Sequence, residues 1–333
     1  MRGKRVLLFF IVLMVMVLLI PSLLVLEKQE KMGEQTVPTS KESLPETVPL
    51  SMSVKVWREK RGTTEEVMLE DYVRGVVASE MPADFELEAL KAQALTARTY
   101  VIRVMTAQPE GTATGGAHVT DTVKHQVYHS DDELQALWKN DYDWKMKKIT
   151  RAVEETKGQI LTYNNEPITA SFFSTSNGYT ENSEEYWGGE YPYLRSVGSP
   201  WDKQAPNYQT AVSIPLATFE QLLGVQVTDE QVGKIVKRTK GNRIAEVSIN
   251  GKTFTGRQIR ETLQLRSSDF TWKKVGDQIE ITTKGYGHGV GMSQFGANGM
   301  AQQGNTYDQI AKHYYQGIEI VTAEPFVAKI TKK

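Results

Sequence analysis

The sequence predicts an α+β protein: a single mixed globular body with an inserted small α+β subdomain, preceded by one N-terminal transmembrane helix. Three observations lead to this prediction. An uncharged apolar run fills residues 6–26. Two helical patterns meet at the turn Glu80-Met81-Pro82. Beyond that turn, strands and helices do not alternate regularly enough for a parallel sheet.

Composition excludes several classes of function. The chain has 333 residues, with 39 Lys and Arg against 40 Asp and Glu, and no Cys. A balanced charge gives no reason to expect a nucleic-acid partner. Without Cys there is no disulfide, no thiolate catalysis and no Cys-based zinc site. The length is enough for one large domain or two modest ones.

The N-terminus predicts a membrane anchor. Arg2, Lys4 and Arg5 precede the apolar run 6–26. Roughly 20 such residues span a bilayer, and the cations place residues 1–5 in the cytoplasm and the remainder outside. A cleaved signal peptide is the alternative, and it predicts a shorter soluble product. Residues 27–50 are rich in Glu, Lys, Thr, Ser and Pro, which indicates a flexible linker. The extracytoplasmic domain then comprises residues 51–333.

Alternation and helical spacing predict the elements that open the body. We expect a strand at 51–57, a helix at 69–79 and a second helix from Glu86 to about Met105. Asp131 is expected to cap a helix that runs to about Trp138, and a further helix covers 144–156. The strand 159–163, the turn Asn164-Asn165 and the segment 168–174 predict a hairpin.

The second half of the body contains a long irregular region and the predicted insertion. Residues 174–208 are rich in Ser, Asn, Gly and aromatic residues, and a loop of that length suggests function. The inserted subdomain, 211–281, has predicted helices at 216–223 and 255–265 and strands at 244–249 and 278–283. A glycine-rich segment, a helix to Gln303, a helix at 307–315 and a β-rich tail complete the chain.

Glu80 is the main candidate for chemistry. It lies at a predicted helix C-terminus beside Val76, Val77 and Met81. The negative end of the helix dipole and partial burial both raise the pKa of a carboxyl group. An acid that stays protonated near neutral pH suits general acid catalysis. The alternative interpretation is an ordinary surface Glu at a helix end.

No partner carboxylate for Glu80 stands out in the sequence. Hydrolytic glycosidases usually need two, and the available acids are Asp84, Glu86, Glu88 and Asp202. A single-acid mechanism is therefore considered, in which one Glu protonates the leaving oxygen and then deprotonates a hydroxyl of the sugar itself.

Two further segments are candidates for ligand binding. Residues 285–296 carry alternating glycines, which admit positive φ and close approach of a ligand to the backbone. This segment matches neither a P-loop nor a dinucleotide fingerprint, and a tight structural turn is the alternative. Residues 171–188 combine Ser, Thr and Asn with aromatic rings, as suits carbohydrate, although an ordinary polar loop has a similar composition.

The histidines at 118, 125 and 129, with Asp121, raise the question of a zinc site. Their spacing matches no established metal motif, so neither a metal site nor a cofactor is predicted. Serine nucleophile chemistry is also disfavoured, because Ser79 lacks the Gly-x-Ser-x-Gly setting.

The motifs together resemble the SpoIID/LytB family. The resemblance rests on residues 76–82, 90–100, 172–178, 199–202, 285–297 and 313–317, and covers about 52–325. It implies a lytic transglycosylase that cleaves the MurNAc–GlcNAc β-1,4 bond of peptide-free peptidoglycan strands to a 1,6-anhydro product during engulfment of the forespore. Family members often have His-Cys where this chain has Lys124-His125, which leaves any metal role of that Cys in doubt here.

The resemblance also implies partners and site residues. The partners are a membrane-anchored cell-wall amidase and a further membrane protein of an engulfment complex. Glu80 matches the catalytic acid. The expected glycan-binding residues are Lys91, Arg98, Ser176, Asn177, Tyr193, Arg195, Asp202, His288, Ser293 and Gln294. A rival hypothesis is a non-catalytic wall-binding activator of an amidase, and a third is a plain muramidase.

Overall fold

A computed structural model describes residues 52–228 and 231–331. The predicted anchor (6–26) and linker (27–50) lie outside the described residues and stay predictions. In the part of the chain that the structure describes, no helix is long and apolar enough to cross a membrane. The body is a mixed α+β fold, as predicted.

The first part of the body is mainly helical. Its elements are β1 (Ser53–Arg58), β2 (Thr63–Met68), α1 (Leu69–Glu80), α2 (Leu87–Ala107), β3 (Val119–Thr120), α3 (Asp131–Trp138) and α4 (Tyr142–Glu154). Next come β4 (Gln159–Tyr163), β5 (Glu166–Pro167), β6 (Phe172–Phe173) and α5 (Ser183–Trp187).

The inserted segment and the C-terminal part follow. The segment comprises β7 (Gln209–Pro215), α6 (Leu216–Leu223), β8 (Lys234–Arg238), β9 (Ile244–Ile249), β10 (Lys252–Thr255), α7 (Gly256–Thr262), β11 (Phe270–Val275) and β12 (Gln278–Lys284). The chain ends with β13 (Met292–Ser293), α8 (Gln294–Gln302), α9 (Tyr307–Tyr314), β14 (Glu319–Thr322) and α10 (Glu324–Thr331).

Helix α2 is the centre of the main core. It is buried on almost all sides, including Leu90, Leu95 and Ile102, as expected of a helix enclosed by other elements. Helices α1, α4, α8, α9 and α10 and strand β4 pack around it. Val76 and Val77 bring the apolar face of α1 into the same core, so the two predicted helices pack together through their apolar residues.

The segment from β7 to β12, which contains the predicted insertion 211–281, has a second core. Phe219, Val247, Ile259, Phe270 and Ile281 are buried there and form a separate hydrophobic cluster. Two antiparallel sheets, in the orders β10-β9-β8 and β11-β12-β7, supply most of its strands. Strands β7 and β12 pair along their length, so the segment leaves and re-enters the body at one place.

Several predicted elements differ from the structure. The turn Asn164-Asn165 is present with positive φ at both residues, but the returning strand is only Glu166–Pro167. Phe172–Phe173 instead pairs in parallel with Met292–Ser293. Local sequence could not predict this pairing, because the two strands lie far apart in the chain. The tail was predicted to be β-rich, but it contains β14 and then the helix α10.

Candidate active site

Glu80 is the last residue of α1, at a sharp turn. Met81 has an extended backbone (φ -129°, ψ 133°), and its N–H donates to Val77 O at 3.1 Å. Pro82 disfavours the helical conformation of the residue before it, and the Met81 side chain is buried in the core. Local sequence therefore ends the helix at Glu80, as predicted, while packing holds the turn.

The Glu80 carboxyl group is partly buried and held on one side. Its Oε1 accepts a hydrogen bond from the Val127 N–H at 2.8 Å. Within the described residues, Oε2 has no hydrogen-bond partner and is left for a ligand. Burial raises the pKa of Glu80, and the Val127 N–H opposes that rise only in part. Gln294 Nε2 donates to the Glu80 backbone O at 2.9 Å, so α8 fixes the same turn.

Glu80 lines a cleft of about 680 Å³. Its walls come from six parts of the chain: the end of α1 with α2, the loop before α3, the segment around β6, the end of α5, the glycine-rich segment with α7, and the start of α8. The lining residues are Glu80, Tyr100, Val123, Lys124, His125, Gln126, Thr169–Ser174, Trp187, Arg260, Tyr286, Gly287, His288 and Gln294. The volume falls within the range typical of small-molecule and substrate sites.

The glycine-rich segment forms one wall of this cleft. Gly285, Gly287, Gly289 and Gly291 all have positive φ, as their alternation predicted. At Gly291 an added Cβ would lie 2.0 Å from Ser171 O. This position therefore needs glycine both for its backbone conformation and for space. The close approach brings residues 285–291 against the Ser171–Phe173 strand.

His288 is surrounded by aromatic rings. The ring centroids of Phe173, Tyr186 and Trp187 lie 5.6, 5.8 and 5.3 Å from that of the imidazole. Burial, together with the charges of two arginines, lowers the pKa of His288 to about 3. The neutral ring accepts the Val290 N–H on Nδ1 at 3.0 Å, so its proton is assigned to Nε2, the nitrogen near Ser171 Oγ (3.5 Å). His288 is thus a neutral hydrogen-bond donor in the cleft.

Of the predicted glycan-binding residues, His288 and Gln294 line the cleft with Glu80. Ser176, Asp202 and Ser293 do not, because all three are completely buried. Asp202 accepts hydrogen bonds from the Ser176 N–H at 2.9 Å, Ser176 Oγ at 2.8 Å, Ser293 Oγ at 2.5 Å and Ser199 Oγ. This cluster ties the polar loop to the start of α8, and its three predicted site residues have no surface exposed to a ligand.

Asn177, Tyr193 and Arg195 also lie outside the cleft lining. Asn177 Nδ2 donates to Gly241 O and Asp269 Oδ2, both at 3.0 Å, so it joins the polar loop to the inserted segment. Tyr193 is buried, and its Oη accepts the Thr169 N–H at 2.9 Å. Arg195 forms ion pairs with two neighbouring glutamates. Their contact with the glycan stays a prediction.

Lys91 and Arg98 do not line the cleft. Arg98 has no exposed side-chain surface and binds Glu70 at 2.6 Å. Lys91 pairs with Glu88 at 2.6 Å and Glu155 at 2.5 Å. Both cations join helices of the main core, since an unpaired charge at such buried positions would be costly. These ion pairs stabilise the fold, and contact of the two residues with a glycan stays a prediction.

The histidines of residues 118–129 point to different partners. His118 Nδ1 accepts the Lys55 N–H, His125 Nδ1 lies 3.0 Å from Thr120 Oγ1, and His129 Nδ1 lies 2.8 Å from Ser79 Oγ. Over residues 52–228 and 231–331, no three His, Asp or Glu side chains are grouped so that they could hold a metal ion. His125 nevertheless lines the cleft, and burial lowers its pKa.

The sequence did not single out several lining residues: Tyr100, Lys124, Gln126, Arg260 and Tyr286. Lys124 and Gln126 flank His125 in a segment that was considered only for metal binding. Tyr286 lies within the glycine-rich segment, so its position was a usable signal. Arg260 belongs to the inserted segment, and no local pattern distinguishes it from the other arginines there.

The fold and cleft define an α+β protein with one partly buried acid at a helix–helix turn and aromatic rings opposite it. The sequence model of the SpoIID family, Stage II sporulation protein, matches residues 58–163, which include Glu80. Stage II sporulation protein D of Bacillus subtilis (strain 168) is 51% identical over 97% of this chain and 97% of its own length. The chain belongs to the SpoIID family.

Two further relatives extend this comparison. Stage II sporulation protein D of Bacillus amyloliquefaciens is 49% identical over 96% of this chain and 97% of its own length. The amidase enhancer of Bacillus subtilis (strain 168) is 31% identical over 75% of this chain and 40% of its own length. The family therefore includes relatives whose names refer to sporulation and to the enhancement of an amidase.

Proposed function

We propose that the protein is a lytic transglycosylase of peptidoglycan in which Glu80 acts first as general acid and then as general base. The observation that carries this proposal is the Glu80 carboxyl group, partly buried in the cleft with a raised pKa and Oε2 open to a ligand. Among the described residues that line the cleft, Glu80 is the only Asp or Glu. The acids considered as its partner, Asp84, Glu86, Glu88 and Asp202, do not line it.

A single acid is sufficient for this reaction because water is not the nucleophile. Protonated Glu80 gives its proton to the glycosidic oxygen, and the bond from that oxygen to C1 of MurNAc breaks. The Glu80 carboxylate then takes the proton of the MurNAc C6 hydroxyl as that oxygen bonds to C1. The products are a 1,6-anhydro sugar and a strand with a free hydroxyl, and Glu80 is again protonated.

The other walls of the cleft supply groups that suit a glycan. Trp187 and Tyr286 expose rings, 39% and 48% accessible, that can pack on the apolar faces of sugars. Neutral His288 offers the Nε2–H, and burial raises the pKa of Tyr100 to about 12, so its hydroxyl stays protonated. These donors can bind sugar oxygens without adding charge near Glu80.

The proposed setting follows the family. Residues 6–26 would anchor the protein in the cell membrane with residues 1–5 cytoplasmic, and the domain would act outside, at the septal and engulfing membrane. Peptide-free strands would come from a membrane-anchored cell-wall amidase, and a further membrane protein would complete the engulfment complex.

A second candidate function is non-catalytic activation of an amidase. The amidase enhancer relative, 31% identical over 75% of this chain, favours it. Both functions need glycan in the cleft, but only the first needs the proton of Glu80. They therefore differ in the products that the purified protein forms alone.

The test is mass spectrometry of peptide-free sacculi digested by the purified protein. We expect 1,6-anhydro products from the wild type and from Glu86→Gln, a matched control whose exposed side chain lies outside the cleft. Glu80→Gln keeps the shape but removes the proton, and it should abolish the products. Wild-type rates in Glu80→Gln, or no product from the wild type, would refute the proposal. Oxygen from labelled water at the new end would indicate a muramidase.

A further inference from the structure

The cleft contains more basic than acidic side chains. Lys124 and Arg260 line it opposite a single carboxyl group, Glu80. The two lining imidazoles add no charge near neutral pH, because burial lowers the pKa of both His125 and His288. With Glu80 protonated, the described lining therefore carries two positive charges. An uncharged sugar offers no charged partner for these two cations. The excess of positive charge therefore indicates an anionic group on the ligand.

Arg260 is held in place without a carboxylate partner. Its Nη1 donates to Tyr186 Oη at 2.7 Å and its Nε donates to Arg266 O at 3.3 Å. Within residues 52–228 and 231–331, no Asp or Glu oxygen lies within 4 Å of its guanidinium nitrogens. Of the other four arginines of the inserted segment, Arg238, Arg243 and Arg257 pair with acids. The fourth, Arg266, packs over the ring of Tyr286. Arg260 thus presents an oriented guanidinium to the cleft, with Nη2 available.

Lys124 supplies the second cation from a different element. It is exposed in the loop between β3 and α3, and its ammonium group has no carboxylate partner among the described residues. The same loop holds the Val127 N–H that binds Glu80. An anion bound by Lys124 and Arg260 would therefore lie in the same cleft as the acid.

We propose that Arg260, together with Lys124, forms a subsite for the free lactyl carboxylate of a peptide-free MurNAc residue. This inference rests on the proposed function, since it assumes a peptidoglycan strand in the cleft. Stem peptides attach to the lactyl group through an amide, which removes its negative charge and one of its two acceptor oxygens. A guanidinium binds a carboxylate through two parallel hydrogen bonds but binds an amide oxygen through one, without charge assistance. The inserted segment would thereby select the substrate.

The experiment compares two glycan ligands that differ only at this group. One is a short peptide-free strand with free lactyl carboxylates, and the other is the same strand with those carboxylates converted to methylamides. Binding is measured by calorimetry in the Glu80→Gln background, where neither strand should be cleaved. We expect the free-carboxylate strand to bind at least about tenfold more tightly than the methylamide strand. The reason is that a hydrogen bond to a charged group contributes more binding free energy than one between neutral groups.

Two variants assign the preference to the cations. Arg260→Met in the Glu80→Gln background should weaken binding of the free-carboxylate strand by about tenfold or more while changing the methylamide strand little. Lys124→Met should reduce the same preference, and because Lys124 is exposed its substitution does not threaten folding. Arg257→Met is the control: it removes a cation from the same helix, α7, but from outside the cleft lining.

The outcomes separate this inference from the proposed function. Equal binding of both strands by Glu80→Gln, or a preference that persists in both Arg260→Met and Lys124→Met, would overturn the subsite. Stronger binding of a glycerol-phosphate polymer than of the free-carboxylate strand would assign the cations to phosphate and also overturn it. If the wild type releases no anhydro product but the preference depends on Arg260, the proposed catalysis fails and the subsite stands.

Discussion

Substitution of Asp202 tests whether this acid supports the fold rather than the substrate. Its carboxylate is fully buried and accepts hydrogen bonds from Ser176, Ser199 and Ser293. Burial raises the pKa of Asp202, and these donors oppose the rise. Asp202→Ala removes the acceptor that the Ser176 N–H and three buried serine hydroxyls share.

The size of the effect follows from this geometry. Breaking a buried charged network costs about 3–5 kcal/mol. At roughly 2 °C per kcal/mol for a body of this size, the melting temperature should fall by about 6–10 °C. Asp202→Asn keeps one oxygen acceptor and the volume, and should lose less. The loss should reach the active site through Ser293, which caps α8 through the Gly296 N–H.

Circular dichroism melts of the extracytoplasmic domain measure this change, and glycan binding at a temperature where the variant is folded completes the assay. If Asp202→Ala melts within about 1 °C of the wild type while glycan binding is lost, Asp202 contacts substrate and the structural role is refuted.

Two further predictions concern Glu80 and the glycine-rich segment. The folded-state pKa of Glu80 is raised above its ordinary value of 4.5. As the pH rises, the unfolded chain therefore releases this proton at a lower pH than the folded protein does. The free energy of unfolding consequently falls from about pH 4.5 upward. Glu80→Gln should therefore unfold at higher denaturant concentration than the wild type at pH 7 and show no such gain near pH 4; an equal gain at both pH values would contradict this. Gly291→Ala should cost several kcal/mol in thermal melts, because about 1–2 kcal/mol for positive φ is added to a 2.0 Å overlap with Ser171 O. Gly276→Ala, with positive φ and open space, should show the φ cost alone, and equal losses in both would refute the steric argument.

Short sequence patterns were sufficient to predict the structural features that depend only on neighbouring residues. Helical spacing and Met81-Pro82 predicted α1, its end at Glu80 and the second helix within two residues of its observed end. The end of helix α3 at Trp138 was predicted, but its cap was placed one residue late: Ser130 is the cap and Asp131 is the first helical residue. These features depend on side-chain spacing, proline geometry and capping, all of which a short stretch of sequence contains.

The structure places several polar residues of the matching motifs away from the cleft. Asp202, Ser176 and Arg98 look like binding residues because they are polar and lie in distinctive segments. Each is buried against a partner that is distant in sequence, as Arg98 is against Glu70. Composition does not distinguish a polar group facing a ligand from one that satisfies a core, because the difference depends on what packs over it.

The sequence by itself determined the α+β class, the turn that carries Glu80, the positive φ of the alternating glycines and the family. Each of these follows from residue type and spacing along a continuous stretch. Only the tertiary structure decided which residues surround Glu80. The cleft walls include α2, the loop before α3, the β6 segment and α7 of the inserted segment. Arg260 and Lys124 line the same cleft because folding brings together segments that are distant in sequence.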